Sequence, residues 1–496
     1  MADQETAGAE VAEQGAGASV SLLDEILKET KLKPQEEAYS IAKQGVQAFI
    51  AEMLKPTRSD AKIDRSTVDA MIAELDARMS SQINEIMHHA DFQKLESAWR
   101  SLKFMCERID FRENIKLDVM NVSKEDLASD LDDAPDLTRS GLFRLAYSNE
   151  YGQFGGQPYG VFCANYDFGP GAPDLRLLTQ MAAVAAVSHS PLITNASPAF
   201  FGGETFEGLP RLKDLKAMLE GPQYTKWHAF RESPDACYVG MCMPRFLLRL
   251  PWGGDDNPVK AFNFKEEVVG EHGRYLWGYA SSALVTRIAD SFAQFRWCPN
   301  IIGPQSGGTV PNLPLHHFES LGEIQTKVPT EVMLTERREF ELAEEGFIPL
   351  TFRKDSDNAC FFSANSPQKP KFFGNTDEAK AAETNYRLGT QLPYMFVITR
   401  LAHYIKVMQR EQLGSWKERQ DLERELNQWM NGLVSDMENP APSVRSRRPL
   451  RKAHIGVEDV PGQPGWFTCK IEVQPHIKYM GASFTLSLVG RLDKGK

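Results

Sequence analysis

Between Gly389 and Val489 the order of apolar and polar residues leaves few choices of fold. Tyr394, Ile398, Leu401, Ile405 and Met408 recur at spacings of 4, 3, 4 and 3, which places them on one face of an α-helix. Pro393 stands near its start, and Gly414 and Ser415 break it. About twenty residues at 1.5 Å each make a rod of roughly 30 Å. A second helix is predicted from Trp416, with Leu422, Leu426, Trp429 and Leu433 as its stripe. Its other face carries Lys417, Arg419, Asp421, Glu423, Arg424 and Glu425, where Lys417/Asp421 and Arg419/Glu423 are i,i+4 pairs. A basic loop follows, holding Arg445, Arg447, Arg448, Arg451 and Lys452.

The chain then turns to strands. Phe467, Cys469, Ile471 and Val473 alternate with Thr468, Lys470, Glu472 and Gln474, the period of a half-buried strand. Phe484, Leu486 and Leu488 alternate with Thr485 and Ser487. Ile455 and Val457 suggest a third strand before the turn Pro461–Gly465. So small a sheet is marginal unless it packs on helices or gains strands. An open edge would be a socket for another chain's strand; the alternative is an α+β subdomain whose edges are covered.

A chain of 496 residues has room for two or three domains. Its net charge of −11 argues against general nucleic-acid binding. The seven cysteines form no Cys-x-x-Cys pair and are expected as free thiols of a reducing cytoplasm. No basic-then-apolar leader and no membrane-length apolar run stands out, so membrane insertion is not expected.

Residues 1–20 are small, acidic and free of aromatics, the composition of a disordered tail. Ser21-Leu-Leu-Asp-Glu-Ile-Leu27 is a short amphipathic segment, with Leu22, Leu23, Ile26 and Leu27 on one face and Ser21 at a capping position. A helix this short needs something to lie against. That is either its own domain or a separate protein reading a tethered arm. Helical patterns continue over Gln35–Leu54, Ser66–His88 and Asp91–Arg108. His88 and His89, at a helix end, read as surface residues. From Asn114 the pattern changes. Strands are predicted at Ile115–Val122, Tyr159–Asn165, Pro191–Asn195, Tyr238–Met243, Leu321–Thr326, Thr330–Leu334 and Phe347–Phe352. Helices are predicted at Asp174–Ser188, Leu209–Leu219 and Tyr275–Arg296. Strand, helix, strand at this spacing is a βαβ unit, and the class is α/β, with α+β in places.

A search for chemistry finds little. Gly303-Pro-Gln-Ser-Gly-Gly308 lacks the Lys-Ser/Thr ending of a phosphate loop, and it is not Gly-x-Ser-x-Gly, so Ser306 is a poor nucleophile. A tight loop against a partner is the better reading. His316-His-Phe-Glu319 lacks zinc-protease spacing. Glu344-Glu345 and Asp255-Asp256 read as solvated acidic pairs. No catalytic residue, metal site or cofactor is expected. The five basic residues would allow nucleic-acid binding, but no stacking aromatic lies among them, and a complementary protein surface is the better reading, since arginine pairs bidentately with carboxylates.

Five strings carry a resemblance. Arg296-Trp-Cys-Pro-Asn-Ile-Ile-Gly-Pro-Gln-Ser-Gly-Gly308, Tyr151-Gly-Gln-Phe-Gly-Gly156, Trp416-Lys-Glu-Arg-Gln-Asp-Leu-Glu-Arg-Glu-Leu426, Arg445-Ser-Arg-Arg-Pro-Leu450 and Tyr479-Met-Gly-Ala-Ser-Phe-Thr-Leu-Ser-Leu-Val-Gly-Arg491 resemble hallmark runs of the type VI secretion contractile sheath large subunit, the TssC/VipB family. The match runs from about Ser21 to the end. The resemblance implies a non-enzymatic, tail-sheath-like protein. It would pair with a small sheath subunit (TssB/VipA), polymerise with its own neighbours around an inner Hcp tube, and meet baseplate components. It would sit in the cytoplasm, anchored through the baseplate to the cell envelope, and the ClpV unfoldase would recycle it. Ser21, Leu22, Leu23, Ile26 and Leu27 then become the ClpV-binding helix. Phe467, Cys469, Ile471, Val473, Phe484, Leu486 and Leu488 become inter-subunit strands, in a small antiparallel sheet completed by other chains. The expected organisation is a tail at 1–20, a tethered helix at 21–33, a helical region at 34–109, an α/β sheath domain at 110–384 and a C-terminal core at 385–496.

Overall fold

The computed structural model describes residues 44–45, 65–254, 257–320, 322–354, 356–371, 373–374, 376–414, 418–437, 440–459 and 467–476. Two compact units divide the chain, residues 1–79 and 80–496. In the first, the described residues include the start of helix α1 (Arg65–Met87), whose Ile72, Leu75 and Met79 are exposed. In the second, α2 (Ala90–Arg108) follows the end of α1. His89 caps α2 by accepting from the Asp91 amide at 3.3 Å. His88 is not the surface residue expected: its Nε2 lies 3.3 Å from Oε1 of the buried Glu266.

A six-stranded sheet forms the centre of the second unit. Its strands are β1 (Phe162–Phe168), β2 (Leu192–Ala196), β3 (Val239–Met243), β6 (Thr309–Val310), β9 (Phe347–Phe352) and β10 (Ala359–Phe361), in the order β1-β2-β3-β9-β10-β6. The first four are parallel; β10 and β6 close the sheet antiparallel. The period-2 geometry of the strands sorts the core into two layers. Leu192, Val239, Met241 and Phe347 face a layer containing helix α3 (Ala172–Ser188). Ile193, Cys242 and Ile348 face the other layer, built on α4 (Ala280–Phe295). Helices on both faces of a mostly parallel sheet are the α/β architecture that the βαβ spacing predicts.

Several boundaries differ from the sequence reading. The helix expected from Tyr275 starts at Ala280, and Trp277–Gly278 is a short strand, β5, paired with β4 (Phe246–Leu247). The reason is tertiary: buried Asn195 on β2 accepts from the Ser281 amide at 2.9 Å and donates to the Ser281 hydroxyl at 2.9 Å, so the helix begins there. Leu209–Leu219 splits at Leu212–Asp214 into two short helices, because Pro210 sits in the first and Asp214 caps the second. Ile115–Val122 alternates but is not a strand. The expected strand Leu321–Thr326 is the hairpin β7 (His316–Ser320) and β8 (Glu323–Lys327), while in Thr330–Leu334 only Thr330 makes a bridge. Glu345 is not solvated, since it binds the guanidinium of buried Arg231, whose other nitrogens donate to the Pro367 and Glu344 carbonyls at 3.0 Å each.

Beyond the sheet come α5 (Glu336–Glu344), α6 (Asp377–Gly389), α7 (Leu392–Glu411), α8 (Arg419–Asn431), the single turn α9 (Pro442–Arg447), and a hairpin of β11 (Leu450–Asp459) and β12 (Phe467–Pro475). Gly240 lets α7 dock on the sheet, for a Cβ there would lie 2.7 Å from Leu392 Cδ1 and 3.0 Å from Ile193 and Ile348. Ser21, Leu22, Leu23, Ile26, Leu27, Phe484, Leu486, Leu488 and the Asp255–Asp256 pair lie outside the described residues.

Candidate assembly site

Helix α7 is the rod on which the C-terminal elements are mounted. Leu392 and Phe396 bury into the sheet-side core. Val397, Leu401 and Ile405 bury into a second core with Leu426 and Met430 of α8, and Leu450, Ile455 and Val457 of β11. Each such side chain contributes about 1.5–3 kcal/mol when fully buried, which is how a two-stranded hairpin, marginal by itself, is held. Further along α7, His403 Nε2 lies 2.9 Å from the Ser188 carbonyl, and burial pushes its imidazole down to about 4. Lys406 sits over the Tyr151 ring at 3.6 Å, and Arg410 donates to the Tyr151 and Gln153 carbonyls. The Tyr151–Gly156 string is thus a seat for the end of α7.

The two edges of the hairpin are unlike. Ile455 faces Ile471 and Val457 faces Cys469 in the antiparallel register. Asn427 of α8 grips the outward backbone of Ile455, accepting from its N–H at 2.9 Å and donating to its C=O at 2.7 Å. Glu423 accepts from the Val457 N–H at 3.3 Å, and Arg419 donates to the Val457 C=O at 3.0 Å. The outer edge of β11 is therefore closed by side chains. Residues opposite one another in an antiparallel ladder point their backbone groups the same way, in or out. Cys469, Ile471 and Val473 consequently direct theirs outward from β12, and among the described residues nothing bonds to them. Phe467, Cys469 and Val473 turn side chains toward the helices, while Ile471 is 37% exposed.

The basic run is not a loop. Pro442 opens α9, whose preset φ suits a first helical turn, so Arg445 and Arg447 are helical. Leu450 then begins β11. A register shift between Leu450 and Lys452 lets Arg451 and Lys452 both face solvent. Arg445 donates to the Pro440 carbonyl at 2.8 Å. Arg447, Arg448, Arg451 and Lys452 are exposed and have no ion-pair partner among the described residues. Burial, and then the charges of Arg445 and Arg451, lower His476 below the ordinary histidine value. That places the basic group at the base of the hairpin, where His476 donates to the Pro449 carbonyl.

The Arg296–Gly308 string serves the same joint. Trp297 is buried in the core of α7, α8 and the hairpin, and Asn300 Nδ2 donates to the buried Ser446 hydroxyl at 2.5 Å. The ends of the glycine loop are tied to its own sheet, while its tip, Pro304, Gln305 and Ser306, is exposed. Gly303 N–H donates to the Phe361 carbonyl at 2.7 Å, Phe361 N–H donates to the Gly308 carbonyl at 3.0 Å, and a Cβ on Gly308 would lie 2.5 Å from the Phe361 oxygen. His316 and His317 hydrogen-bond to Tyr275 and Thr326 on the exposed β7–β8 hairpin. Among the described residues no cluster of three histidine, cysteine or acidic side chains could hold a metal, and no helix is long and apolar enough to cross a membrane. All seven cysteines are free thiols. Sequence reasoning missed Asn427 and the backbone partners of Glu423 and Arg419. Their only signal was polar residues at spacing four along the border of the apolar stripe of α8.

Comparison with known proteins adds relatives to this geometry. The family model described as the EvpB/VC_A0108 tail sheath N-terminal domain matches residues 69–368, and the tail sheath gpW/gp25-like domain of the same family matches residues 381–492. A curated relative, the type VI secretion system sheath protein TssC1 of Pseudomonas aeruginosa, is 38% identical over 476 residues, covering 95% of each chain. Among solved structures, chains of the anti-feeding prophage baseplate and of its contracted helical sheath align at 10% identity with TM-scores of 0.36 and 0.30. They cover 76% and 64% of this chain, and 83% and 66% of their own length.

Proposed function

This chain belongs to the TssC/VipB family of type VI secretion sheath proteins, and from that premise we propose that it is the large subunit of a contractile sheath that polymerises through its C-terminal hairpin. It pairs with a small sheath subunit (TssB/VipA), and the heterodimers stack as a helix around an Hcp tube, seated on baseplate components at the cytoplasmic side of the envelope. Contraction drives the tube outward. The chain itself is structural, and ATP hydrolysis belongs to ClpV. The observation that carries this reading is the hairpin with one closed and one open edge, held on a large core at Trp297, α7 and α8. An open edge binds another strand through main-chain hydrogen bonds, and a head-to-tail contact of that kind propagates as a helix instead of closing. Co-expression with the small subunit from the same genome tests it. Long tubules by electron microscopy are expected, and no association at all would overturn the reading.

Two further sites follow from the family. Ser21, Leu22, Leu23, Ile26 and Leu27 form the ClpV handle. Four apolar side chains give roughly 6–12 kcal/mol gross, and ordering the arm removes much of that. A single arm therefore binds weakly, and many arms on one sheath gain avidity. Leu23→Asp with Ile26→Asp should reduce ClpV capture in a pull-down to background while tubules still form; undiminished capture would sink the assignment. Arg445, Arg447, Arg448, Arg451 and Lys452 face an acidic surface, either on the Hcp tube or on a neighbouring subunit. Arg447→Glu with Arg448→Glu should shorten tubules or stop Hcp secretion, whereas normal tubule length and normal secretion would refute it.

A further inference from the structure

One cation of the joint is left without an acceptor. Arg400 stands on α7, one turn before Tyr404, and its guanidinium carbon lies 4.8 Å from the centre of the Tyr404 ring and 5.5 Å from that of Phe292 on α4. A guanidinium is planar, with five N–H donors in a fixed fork. The faces of two rings answer its charge, but they offer the donors no oxygen. Among the described residues Arg400 makes no ion pair and no hydrogen bond, and its Nε is shut off from solvent. The interior arginines behave otherwise: Arg231, Arg245 and Arg249 hold the carboxylates of Glu345, Glu331 and Glu266. Acids close to α4 are committed elsewhere. Asp290 accepts from Gln294 at 3.1 Å and lies 3.6 Å from Arg287, and Glu113 holds Arg296 at 2.7 Å. The lone charge is felt inside the fold, since burial, and after it Arg400, keep the His403 imidazole low against its hydrogen bond to Ser188. Burying a donor without an acceptor, or a charge without a counter-charge, costs stability, and folds keep such groups mostly where function uses them. The place is within reach of a partner. Arg400 is half-buried, and beside it the exposed Tyr404 meets the rings of Trp297 and Trp429 edge-on at 6.1 and 6.0 Å.

We propose that Arg400 is a socket for a carboxylate side chain of a second copy of this chain, delivered to the open fork of the guanidinium when the subunits polymerise. The proposal rests on the sheath reading above and adds a contact which that reading does not contain. Arginine suits the role because its fork takes a carboxylate bidentately. Another copy suits it as the source, because the chain carries 67 acidic against 56 basic residues, a net charge of −11, and so offers surplus carboxylates. A contact between unlike patches of identical chains repeats from copy to copy along a helix. The unassembled chain is held below its best stability at this one position, and assembly removes the deficit.

Arg400→Met in the full-length chain, co-expressed with the small subunit, separates this role from a structural one. Methionine keeps an apolar stem and removes the unmet donors. The thermal midpoint of the unassembled variant should equal or exceed that of wild type, while the yield of sedimenting tubules should fall by more than about tenfold, the loss expected when one partner of a buried charge pair is removed. A lower midpoint would mean that Arg400 serves the fold through its rings and would overturn the proposal, as would a normal yield of tubules. Phenylglyoxal, which modifies accessible arginines, gives a second reading on the wild-type protein. Arg400 should react in the unassembled chain and be protected in tubules, and equal reactivity in the two would overturn the proposal. Wild-type chains that form no tubules with the small subunit would instead sink the sheath reading itself. Arg400→Lys identifies the source, since a lysine amine against a carboxylate is converted to an amide by a carbodiimide. In tubules mixed from isotope-labelled and unlabelled chains, the crosslink from position 400 should join a labelled chain to an unlabelled one. A crosslink to the small subunit, or none, would overturn the choice of a second copy.

Discussion

Replacing Ile471 with proline is expected to abolish tubule formation while leaving the chain folded. The substitution separates two sets of hydrogen bonds along one strand. Thr468, Lys470, Glu472 and Gln474 face β11 opposite Glu458, Gly456, His454 and Lys452, and make the hairpin's own ladder. Ile471 lies between them with its N–H directed outward, opposite an Ile455 whose outward groups are taken by Asn427. Proline removes that outward donor, and its ring obstructs a strand approaching from the open side. An edge position tolerates proline as far as the rest of the sheet is concerned. Ile471 is 37% exposed and stands outside the hydrophobic cluster that holds the hairpin, so the substitution leaves that cluster intact. Circular dichroism and the midpoint of thermal unfolding should stay close to wild type, and electron microscopy of the co-expressed pair should show no tubules. Ile471→Thr is the control, since it keeps the N–H and suits a strand; tubules should persist. Normal tubules from the proline variant would mean that the joint lies elsewhere.

The parts of this joint that the sequence made legible are the strictly periodic ones. The 4, 3, 4, 3 spacing located α7 and the alternation from Phe467 to Gln474 located β12, because in both a local period maps onto a mostly buried face, although Ile398 and Ile471 of those stripes are exposed. The βαβ unit of β1, α3 and β2 was legible for the same reason. What stayed hidden depends on residues far apart in the chain. Asn427 reads as one more polar residue on a charged helix, and its role appears only when Ile455 is brought beside it. The late start of α4 depends on Asn195, which is 86 residues away from Ser281. Glu345 and His88 looked like surface groups because their partners, Arg231 and Glu266, are supplied by the tertiary fold. Ile115–Val122 failed in the opposite sense: it alternates, but a strand also needs a neighbour to pair with, and alternation does not supply one.

The largest stability effect is expected at Arg245. Its guanidinium holds both oxygens of Glu331 at 2.7 Å, and the Glu331 side chain is fully buried. His272 Nε2 at 3.0 Å and the Phe206 amide at 3.1 Å complete the shell, so one carboxylate fastens four separate segments. Burial alone would raise the Glu331 pKa; the hydrogen bonds from Arg245 and His272, with the Arg245 charge, outweigh it and hold the carboxyl down at about 2. A folded-state value below the unfolded one contributes stability that is present above the usual carboxylate range and is lost as pH falls toward 2. Its size is about 3 kcal/mol. Arg245→Met leaves the charge buried with the His272 imidazole, the Phe206 amide and the more distant charge of Lys327 in place of a bidentate fork, a change that costs roughly 3–5 kcal/mol. The sign of the pH dependence also reverses. With burial now dominant, the carboxyl is held above its unfolded value, so the variant is best preserved in acid and loses stability as pH rises through that value. Urea unfolding at pH 5 and pH 8 should therefore show a gap from wild type that widens at pH 8. Adding Glu331→Gln, which keeps an acceptor for the Phe206 amide without a charge, should recover much of the loss and remove the widening. A gap of equal size at both pH values would mean that the stranded charge is not the cause, and that packing around the lost guanidinium is.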